Sequence, residues 1–308
     1  MTTTQDIYID GHKLVALSFN PPAYRYQTGP DSPATKTPII FLHGICSSVY
    51  YWQNQDLLAT FLPYGPCYAL SLPGHYPATV SPTFCQEHIT PENFAAILSQ
   101  AIYKLVGKRP ITLIGHSTGG FAALNVAAFY PDQVQHIISI AGFVQGRWQG
   151  IFGVGQKSVR SGPVGNLLFK LSMKLAVNIR AMHRITLPLF TANASRFFAY
   201  PNLEFSIDTY LPYAKQLDMK TIKKYFAELP NIDISHLLPN ITAPTLAIAG
   251  DCDPIVPPTQ SRLIAERTPL GNLALLPGVG HLPFFENPAE YQRIIAQWFS
   301  QQMVLTAQ

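Results

Sequence analysis

The segment TLIGHSTGG, residues 112–120, contains the residues best suited to chemistry in this chain. Ser117 lies between Gly115 and Gly119, after an apolar run and before an alanine-rich stretch. A strand that turns this sharply into a helix holds its serine at positive φ, at a cost of about 1–3 kcal/mol, and the two glycines let strand and helix pack closely. The pattern predicts a nucleophile elbow, with the Ser117 hydroxyl exposed at the apex beside a helix N-terminus.

An unassisted serine is a weak nucleophile, so this interpretation requires a base and an acid elsewhere in the chain. His281 ends the last strand-like run, NLALLPGVGH, where its ring can reach back over the sheet edge. Asp251 and Asp253 follow another such run in AGDCDPIVP, between the serine and the histidine. We predict His281 as the base and Asp253 as the acid. Pro254 fixes the loop after Asp253, whereas Asp251 is placed to accept hydrogen bonds from local backbone N–H groups.

Two backbone amides are the predicted donors to an oxyanion. One belongs to Thr118, the residue after the nucleophile. The other belongs to Ile45, in the loop FLHGICSS, where His43 and Gly44 allow a tight turn. His116 is interpreted as a structural histidine that faces away from the serine.

Short apolar runs alternate with helical stretches along the chain. The runs are PIIFLHG (38–44), CYALSLPGH (67–75), PITLIGHS (110–117), VQHIISIAG (134–142), PTLAIAGD (244–251) and NLALLPGVGH (272–281). The helical stretches include 92–107, 119–131, 258–268 and 288–303. This alternation predicts an α/β fold whose parallel sheet is buried on both faces. An Asp-Gly turn within residues 7–20 predicts an antiparallel hairpin at one sheet edge.

Together these motifs resemble those of the α/β-hydrolase superfamily, in particular its lidded single-domain branch of esterases, thioesterases, lipases, C–C hydrolases and serine haloperoxidases. The motifs are His43-Gly44 with Trp52 downstream, SLPGH (71–75), GHSTGG (115–120), GDCDPIVP (250–257) and GVGH (278–281). The resemblance implies a mostly parallel central sheet flanked by helices. It also implies that Ser117 is the nucleophile, Asp253 the acid and His281 the base, with the amides of Ile45 and Thr118 as the oxyanion hole.

The middle of the chain lies outside the resemblance, which there implies a helical lid over the nucleophile. The expected division is a core of residues 1–142 and 230–308 with a lid of residues 143–229 inserted in it. The chain has Ser71 where the family usually has an aspartate. Because the elbow carries a serine, the branches with an aspartate nucleophile, the epoxide hydrolases and haloalkane dehalogenases, are excluded.

Composition limits the classes of protein that the chain can represent. Its 308 residues are 47% hydrophobic and 12% charged, enough to bury a full core. The start lacks the cationic and apolar regions of a signal peptide, and no apolar run approaches the roughly 18 residues of a spanning helix, so we expect a soluble, cytoplasmic protein. The four cysteines are scattered without metal-ligand spacing, which favours reduced thiols. No metal or organic cofactor is implied.

The predicted lid has an unusual charge. Residues 144–224 contain 12 of the 21 Lys and Arg and three of the 17 Asp and Glu, a net charge of +9 against −5 for the remainder. A helical wheel for residues 166–187 has a polar and an apolar side. The polar side contains Lys170, Lys174, Asn178, Arg180 and Arg184, and the apolar side contains Leu168, Leu171, Leu175, Ile179 and Met182. The cationic side is either an ordinary solvated face or a contact for an anionic membrane surface or an acidic carrier protein. No motif for nucleic acid is present.

These features predict a serine hydrolase that cleaves a carboxylic ester or thioester with an apolar acyl part through an acyl-enzyme on Ser117. We expect most aromatic residues of the predicted lid to pack against the core and a few to line an acyl pocket. These aromatics are Trp148, Phe152, Phe169, Phe190, Phe197, Phe198, Tyr200, Tyr210 and Tyr213. Two alternatives remain. The same triad supports acyl transfer, cyclisation or a lyase reaction, and the same fold supports a ligand receptor without turnover.

Overall fold

A computed structural model describes residues 2–19 and 36–306, and its centre is a sheet with the strand order β1-β2-β4-β3-β5-β6-β7-β8. The strands are β1 (Thr3–Ile9), β2 (His12–Ser18), β3 (Ile39–Leu42), β4 (Cys67–Leu70), β5 (Ile111–His116), β6 (Val134–Ile140), β7 (Thr245–Gly250) and β8 (Gly271–Leu276). β2 is antiparallel to β1 and to β4, and the other neighbours are parallel. The predicted α/β fold with a mostly parallel sheet is confirmed.

Helices follow most of the strands. They are α1 (Gln55–Ala59), α2 (Pro91–Val106), α3 (Thr118–Phe129), α4 (Gly150–Arg160), α5 (Gly162–Asn178), α6 (Arg180–Thr186), α7 (Ala194–Phe198), α8 (Leu203–Ala214), α9 (Met219–Glu228), α10 (Pro258–Arg267), α11 (Pro283–Glu286) and α12 (Pro288–Thr306). Six of them, α4 to α9, lie between β6 and β7 and are called the inter-strand helices below. They occupy the part of the chain that the sequence assigned to a lid.

The sheet is buried on both faces, which explains its continuous apolar runs. In β3, Ile40 and Leu42 belong to one core cluster, while Ile39 and Phe41 belong to the cluster on the opposite face. Successive side chains of a strand point to opposite faces, so a strand covered on both sides must be apolar at every position.

The amino-terminal hairpin agrees with the sequence prediction. Asp10 and Gly11 have φ of 48° and 81°, the two positive values that a tight hairpin turn requires. β1 begins at Thr3, four residues before the predicted start. Its first four residues are exposed, so they lack the apolar alternation that marks a strand in the sequence.

One predicted pattern is wrong. The wheel for residues 166–187 assumed a continuous helix, but α5 ends at Asn178 because Ile179 is extended, with φ −102° and ψ 107°. The leucines on the apolar side of that wheel are exposed and do not face the core. The side chain of Arg180 lies outside the described part of the chain, so its place on the cationic side stays a prediction.

Candidate active site

Ser117 occupies the junction between β5 and α3. Its backbone has φ 55° and ψ −117°, in the strained region that the sequence predicted. Two hydrogen bonds hold this conformation: the Ser117 amide donates to the carbonyl of Ile140 at 2.8 Å, and the Ser117 carbonyl accepts from the amide of Phe121 at 3.1 Å. The strained backbone is thus fixed by the neighbouring strand on one side and the first turn of the helix on the other.

Glycine is required on both sides of Ser117. A Cβ atom at Gly115 would lie 2.1 Å from the carbonyl oxygen of Gly119, and a Cβ atom at Gly119 would lie 2.1 Å from that of Leu42. Both distances are far below van der Waals contact. The close approach of β3, β5 and α3 therefore depends on these two residues.

The structure brings Asp253 and His281 together. The Nδ1 atom of His281 lies 2.7 Å from Oδ2 of Asp253, and both side chains are buried. The other oxygen, Oδ1, accepts from the amides of Ile255 at 2.8 Å and Val256 at 2.9 Å. An ionised carboxylate only accepts, so Nδ1 carries the proton of this pair and Nε2 of a neutral imidazole is left as an acceptor.

Asp251 has the local role that the sequence suggested. Its Oδ1 accepts from the amide of Gly278 at 2.7 Å, and its side chain is exposed. This bond joins the loop after β7 to the loop after β8. Hydrogen bonds to its carboxylate, from Cys252 first, lower the pKa of Asp251.

Glu286 supports the loop that carries His281. One carboxylate oxygen accepts from the amide of Gly280 at 2.9 Å, and the other accepts from the amides of Ala192 at 2.9 Å and Asn193 at 3.2 Å. Burial raises the pKa of Glu286, and these backbone donors oppose that shift. The carboxylate therefore connects the His281 loop to the chain between α6 and α7. Sequence reasoning missed it, since a glutamate beside a Pro-rich turn is usually exposed.

His116 makes a second contact with the same loop. Its Nε2 donates to the carbonyl oxygen of His281 at 3.0 Å, and the two imidazole rings are 5.0 Å apart. Burial, and then the neighbouring His281, lower the pKa of His116 to about 3, so this ring is neutral at physiological pH. The sequence indicated a structural histidine, and the structure adds the backbone that it holds.

The loop after β3 packs directly on the nucleophile candidate. A Cβ atom at Gly44 would lie 3.3 Å from the Cβ atom of Ser117, and both Ile45 and Thr118 are buried beside it. The next residue, Cys46, has φ 58°, so this loop also contains a strained backbone. The two predicted oxyanion donors thus lie in segments that flank the serine.

His43 fixes the start of this loop. Its Nδ1 donates to the carbonyl of Gly44 at 2.8 Å, and its Nε2 accepts from the amide of Leu72 at 3.1 Å. Such a pair of bonds requires a neutral ring. Burial, followed by the neighbouring His75, lowers the pKa of His43 well below its ordinary value and supplies that neutral form.

The inter-strand helices contact the same loop through α8. The Tyr210 hydroxyl donates to the carbonyl of Cys46 at 2.8 Å, and the ring of Tyr213 stacks on Tyr50 with centroids 3.7 Å apart. Farther along, Nδ2 of Asn54 donates to Oγ of Ser206 at 2.7 Å. These polar contacts have no periodic sequence signal, and nothing in the sequence distinguishes Tyr210 from the other aromatics of this segment.

A series of aromatic side chains from the segment between β6 and β7 leads away from His281. The ring of Phe190 is 6.4 Å from that of His281, Phe152 is 5.0 Å from Phe190, and Phe226 is 5.4 Å from Phe152. Phe169 of α5 lies 4.8 Å from Phe226. Phe197 packs against the core as expected, with its ring centroid 6.0 Å from that of Phe285, whereas Phe198 is 45% exposed.

Within residues 2–19 and 36–306, no three His, Cys, Asp or Glu side chains are grouped so that they could hold a metal ion. Over the same ranges, every helix is too short or too polar to cross a membrane.

A family model described as alpha/beta hydrolase fold matches residues 37–288. The chain belongs to this family. The α/β hydrolases include the pimeloyl-[acyl-carrier protein] methyl ester esterase of Wigglesworthia glossinidia brevipalpis, to which the chain is 24% identical over 263 residues, 83% of this chain and 91% of the relative. A putative carbamate hydrolase RutD of Yersinia enterocolitica is 25% identical over 280 residues, 88% of this chain and 90% of the relative.

The solved structures agree with the fold. A putative aryl esterase from Burkholderia cenocepacia superposes with a TM-score of 0.73 at 18% identity, covering 98% of this chain and all of the other. The α/β-hydrolase fold of the chain is therefore supported by sequence and by architecture, and its relatives include proteins named as esterases.

Proposed function

We propose that the protein is a serine hydrolase that cleaves a carboxylic ester or thioester with an apolar acyl part through an acyl-enzyme on Ser117. The observation that carries this proposal is the positive-φ serine at the β5–α3 junction, in a chain whose buried Asp253–His281 pair closes on the same sheet edge. A structural serine gains nothing from such strain, whereas a nucleophile gains a hydroxyl held at the apex of the turn. Ser117 itself is buried, at 3% exposed, so the exposed hydroxyl that the sequence predicted is not what the structure has.

In the first half-reaction Ser117 Oγ attacks the substrate carbonyl carbon while Nε2 of His281 takes the hydroxyl proton. Asp253 stabilises the resulting imidazolium through Nδ1, and the amides of Ile45 and Thr118 stabilise the oxyanion. The tetrahedral intermediate then collapses, the bond to the leaving group breaks, and His281 returns the proton to the departing alcohol or thiol.

Water completes the cycle by attacking the acyl-enzyme. His281 takes one proton from the water, the second tetrahedral intermediate collapses, and the same proton returns to Ser117 Oγ as the carboxylic acid leaves. His116 and Glu286 take part as positioning residues, because they contact the backbone around His281 and no reacting atom.

Phe190 and Phe152 support an apolar acyl part, because the ring of Phe190 is 6.4 Å from that of His281 and the ring of Phe152 is 5.0 Å from Phe190. Apolar walls with few polar groups are typical of sites that bind small apolar ligands. The relatives that are named for a methyl ester of a carrier-bound acyl chain and for a carbamate agree with acyl chemistry on this fold. We take from them the class of reaction and no particular substrate.

The inter-strand helices are proposed to act as a lid, with unit boundaries at residues 143 and 229. Tyr210 contacts the proposed oxyanion loop, and Glu286 joins the chain before α7 to the His281 loop. A segment with these contacts both covers the site and influences its geometry.

The experiment is covalent labelling with a fluorophosphonate, followed by a turnover panel of esters and thioesters graded by acyl length. We expect labelling at Ser117 in the wild type, its loss in Ser117→Ala, and wild-type labelling in the control Ser300→Ala, which alters an exposed serine of α12. We also expect release of the free acid. Absence of labelling, or binding of acyl ligands without turnover, would overturn the proposal in favour of a receptor.

A further inference from the structure

The outer side of α5 exposes a continuous aliphatic surface. Its residues, called the α5 face below, are Val164, Leu167, Leu168, Leu171 and Leu175, and each is between 47% and 71% exposed. At 100° per residue they fall within about 100° of arc. On the other side of the helix, Phe169 packs against Phe226 and is buried. α5 therefore has two apolar sides. One packs against the rest of the protein, and none of the described residues covers the other.

Contiguous exposed aliphatic surface of this kind marks a site of interaction. Isolated exposed leucines are ordinary, but five on one arc of one helix are not. The two lysines of α5, Lys170 and Lys174, lie on one flank of this arc, and Asn178, the last residue of the helix, lies within it.

The charge near this surface is mostly positive, with Glu204, which pairs with Arg184, and Asp218, which caps α9, as nearby acidic residues. Residues 144–203 contain no Asp or Glu, and their cations are Arg147, Lys157, Arg160, Lys170, Lys174, Arg180, Arg184 and Arg196. A cleft of about 250 Å³ beside Leu167 is lined by Lys170 of α5 and by Lys220 and Lys223 of α9. The exposed aliphatic side chains thus lie beside a cleft that is lined by three lysines.

We infer that the α5 face and this lysine cleft bind the surface of an anionic phospholipid bilayer. The aliphatic side chains enter the boundary between headgroups and acyl chains, while the lysines bind lipid phosphates. This is the arrangement of an interfacial helix, with an apolar side and a cationic flank, lying in the membrane plane.

Two other occupants fit the surface less well. An acidic carrier protein would pair with the lysines but would give five exposed aliphatic side chains no role. A second copy of the chain would cover the aliphatic side chains, but it would bring two strongly cationic segments together at one interface. A bilayer with anionic lipids satisfies both features at once.

The surface is also connected to the proposed active site. Phe169, on the inner side of α5, begins the series of aromatic contacts that continues through Phe226, Phe152 and Phe190 to His281. A membrane-bound α5 would therefore present its inner aromatic contacts to the site while its outer side stays in lipid. The inference does not depend on the proposed reaction, because binding to vesicles is measured without turnover.

The test is flotation with vesicles of phosphatidylcholine mixed with phosphatidylglycerol, compared with vesicles of phosphatidylcholine alone. Two double variants are compared with the wild type. The leucine variant combines Leu168→Gln with Leu171→Gln, and the lysine variant combines Lys170→Gln with Lys174→Gln. Glutamine has a helix propensity close to that of leucine and lysine. The matched control, Leu270→Gln with Lys108→Gln, changes one exposed leucine and one exposed lysine outside the inter-strand helices. Circular dichroism melting verifies that each variant is folded.

We expect wild type and control to bind the anionic vesicles equally, and the leucine variant to partition about tenfold or more weakly. The lysine variant should also bind about tenfold more weakly, and added salt should reduce wild-type binding. Equal partition of wild type and leucine variant would overturn the inference. So would self-association of the wild type, or binding of an acidic carrier protein, without vesicle binding.

Discussion

The hydroxyl of Tyr210 donates a 2.8 Å hydrogen bond to the carbonyl of Cys46, linking two residues that are 164 positions apart in the chain. Cys46 has φ 58° and directly follows Ile45, whose amide is a proposed oxyanion donor. Burial raises the pKa of Tyr210, so its hydroxyl is protonated and donates throughout the physiological range. A helix between β6 and β7 therefore fixes the backbone conformation of the loop that flanks Ser117.

Replacing Tyr210 with phenylalanine removes this donor and retains the ring. We expect kcat for ester hydrolysis to fall about tenfold, because an oxyanion donor that is poorly aligned loses part of its contribution to the transition state. Stability should fall by only about 1 kcal/mol, as for a typical hydrogen bond. Steady-state kinetics and urea denaturation measure the two effects. The control Tyr103→Phe alters an exposed tyrosine of α2, and kcat equal to wild type in Tyr210→Phe would refute a positioning role.

The two aspartates after β7 provide a matched pair of variants. In Asp253→Asn a neutral amide replaces the ionised carboxylate that accepts from Nδ1 of His281, so kcat should fall by about 10³-fold or more. In Asp251→Asn the side-chain oxygen still accepts from the amide of Gly278, and kcat should stay within about threefold of wild type. The reverse order of the two effects would assign the acid role to Asp251.

The sequence predicts the fold, the strained turn at Ser117 and the proximity of Asp253 to His281, because all three depend on local patterns. Apolar runs of four to eight residues follow from a sheet covered on both faces, and Gly115 and Gly119 are required at fixed distances from the serine. Asp253 and His281 each follow such a run, so the parallel sheet delivers both to one edge.

The supporting contacts could not be predicted in the same way. Glu286, Tyr210 and His116 act through a few hydrogen bonds to backbone atoms, most of them distant in sequence, and no periodicity encodes such bonds. The α5 face illustrates a different limit. An apolar side of an amphipathic helix predicts burial, but it does not tell whether protein or another surface covers it.

Glu286 should matter for both stability and rate. Its two carboxylate oxygens accept from three backbone amides. In Glu286→Gln an NH₂ group replaces one of these oxygens and faces the amide of Gly280 or of Ala192, so that two donors meet without an acceptor. An unsatisfied buried donor costs about 1–3 kcal/mol, so the unfolding free energy should fall by that amount and kcat should fall with it. The control is Glu290→Gln, a partly exposed residue paired with Arg293. Glu290→Gln should match wild type; an equal loss in both variants would contradict the prediction.

The unfolding free energy should depend on pH through the buried histidines. Burial lowers the pKa of His75 to about 4, whereas an unfolded histidine titrates near 6.5. Between these values the unfolded chain binds more protons than the folded one, so stability is complete above about pH 6.5 and is lost as pH falls towards 4. From the two pKa values, His75 alone should lower the unfolding free energy by about 2 kcal/mol between pH 7.5 and pH 5.

The variant His75→Gln isolates this contribution, since glutamine can still donate to the carbonyl of Pro73, to which His75 Nδ1 now donates. The substitution also changes the unfolding free energy at every pH. This constant change cancels when the unfolding free energy of each protein at pH 5 is compared with its own value at pH 7.5. Urea denaturation should show a difference between pH 7.5 and pH 5 that is smaller in the variant than in wild type by about 2 kcal/mol. The raised pKa of Glu286 acts in the opposite direction but equally in both proteins. An identical pH dependence would mean that the pKa of His75 is the same in the folded and the unfolded chain, contrary to the effect expected from its burial.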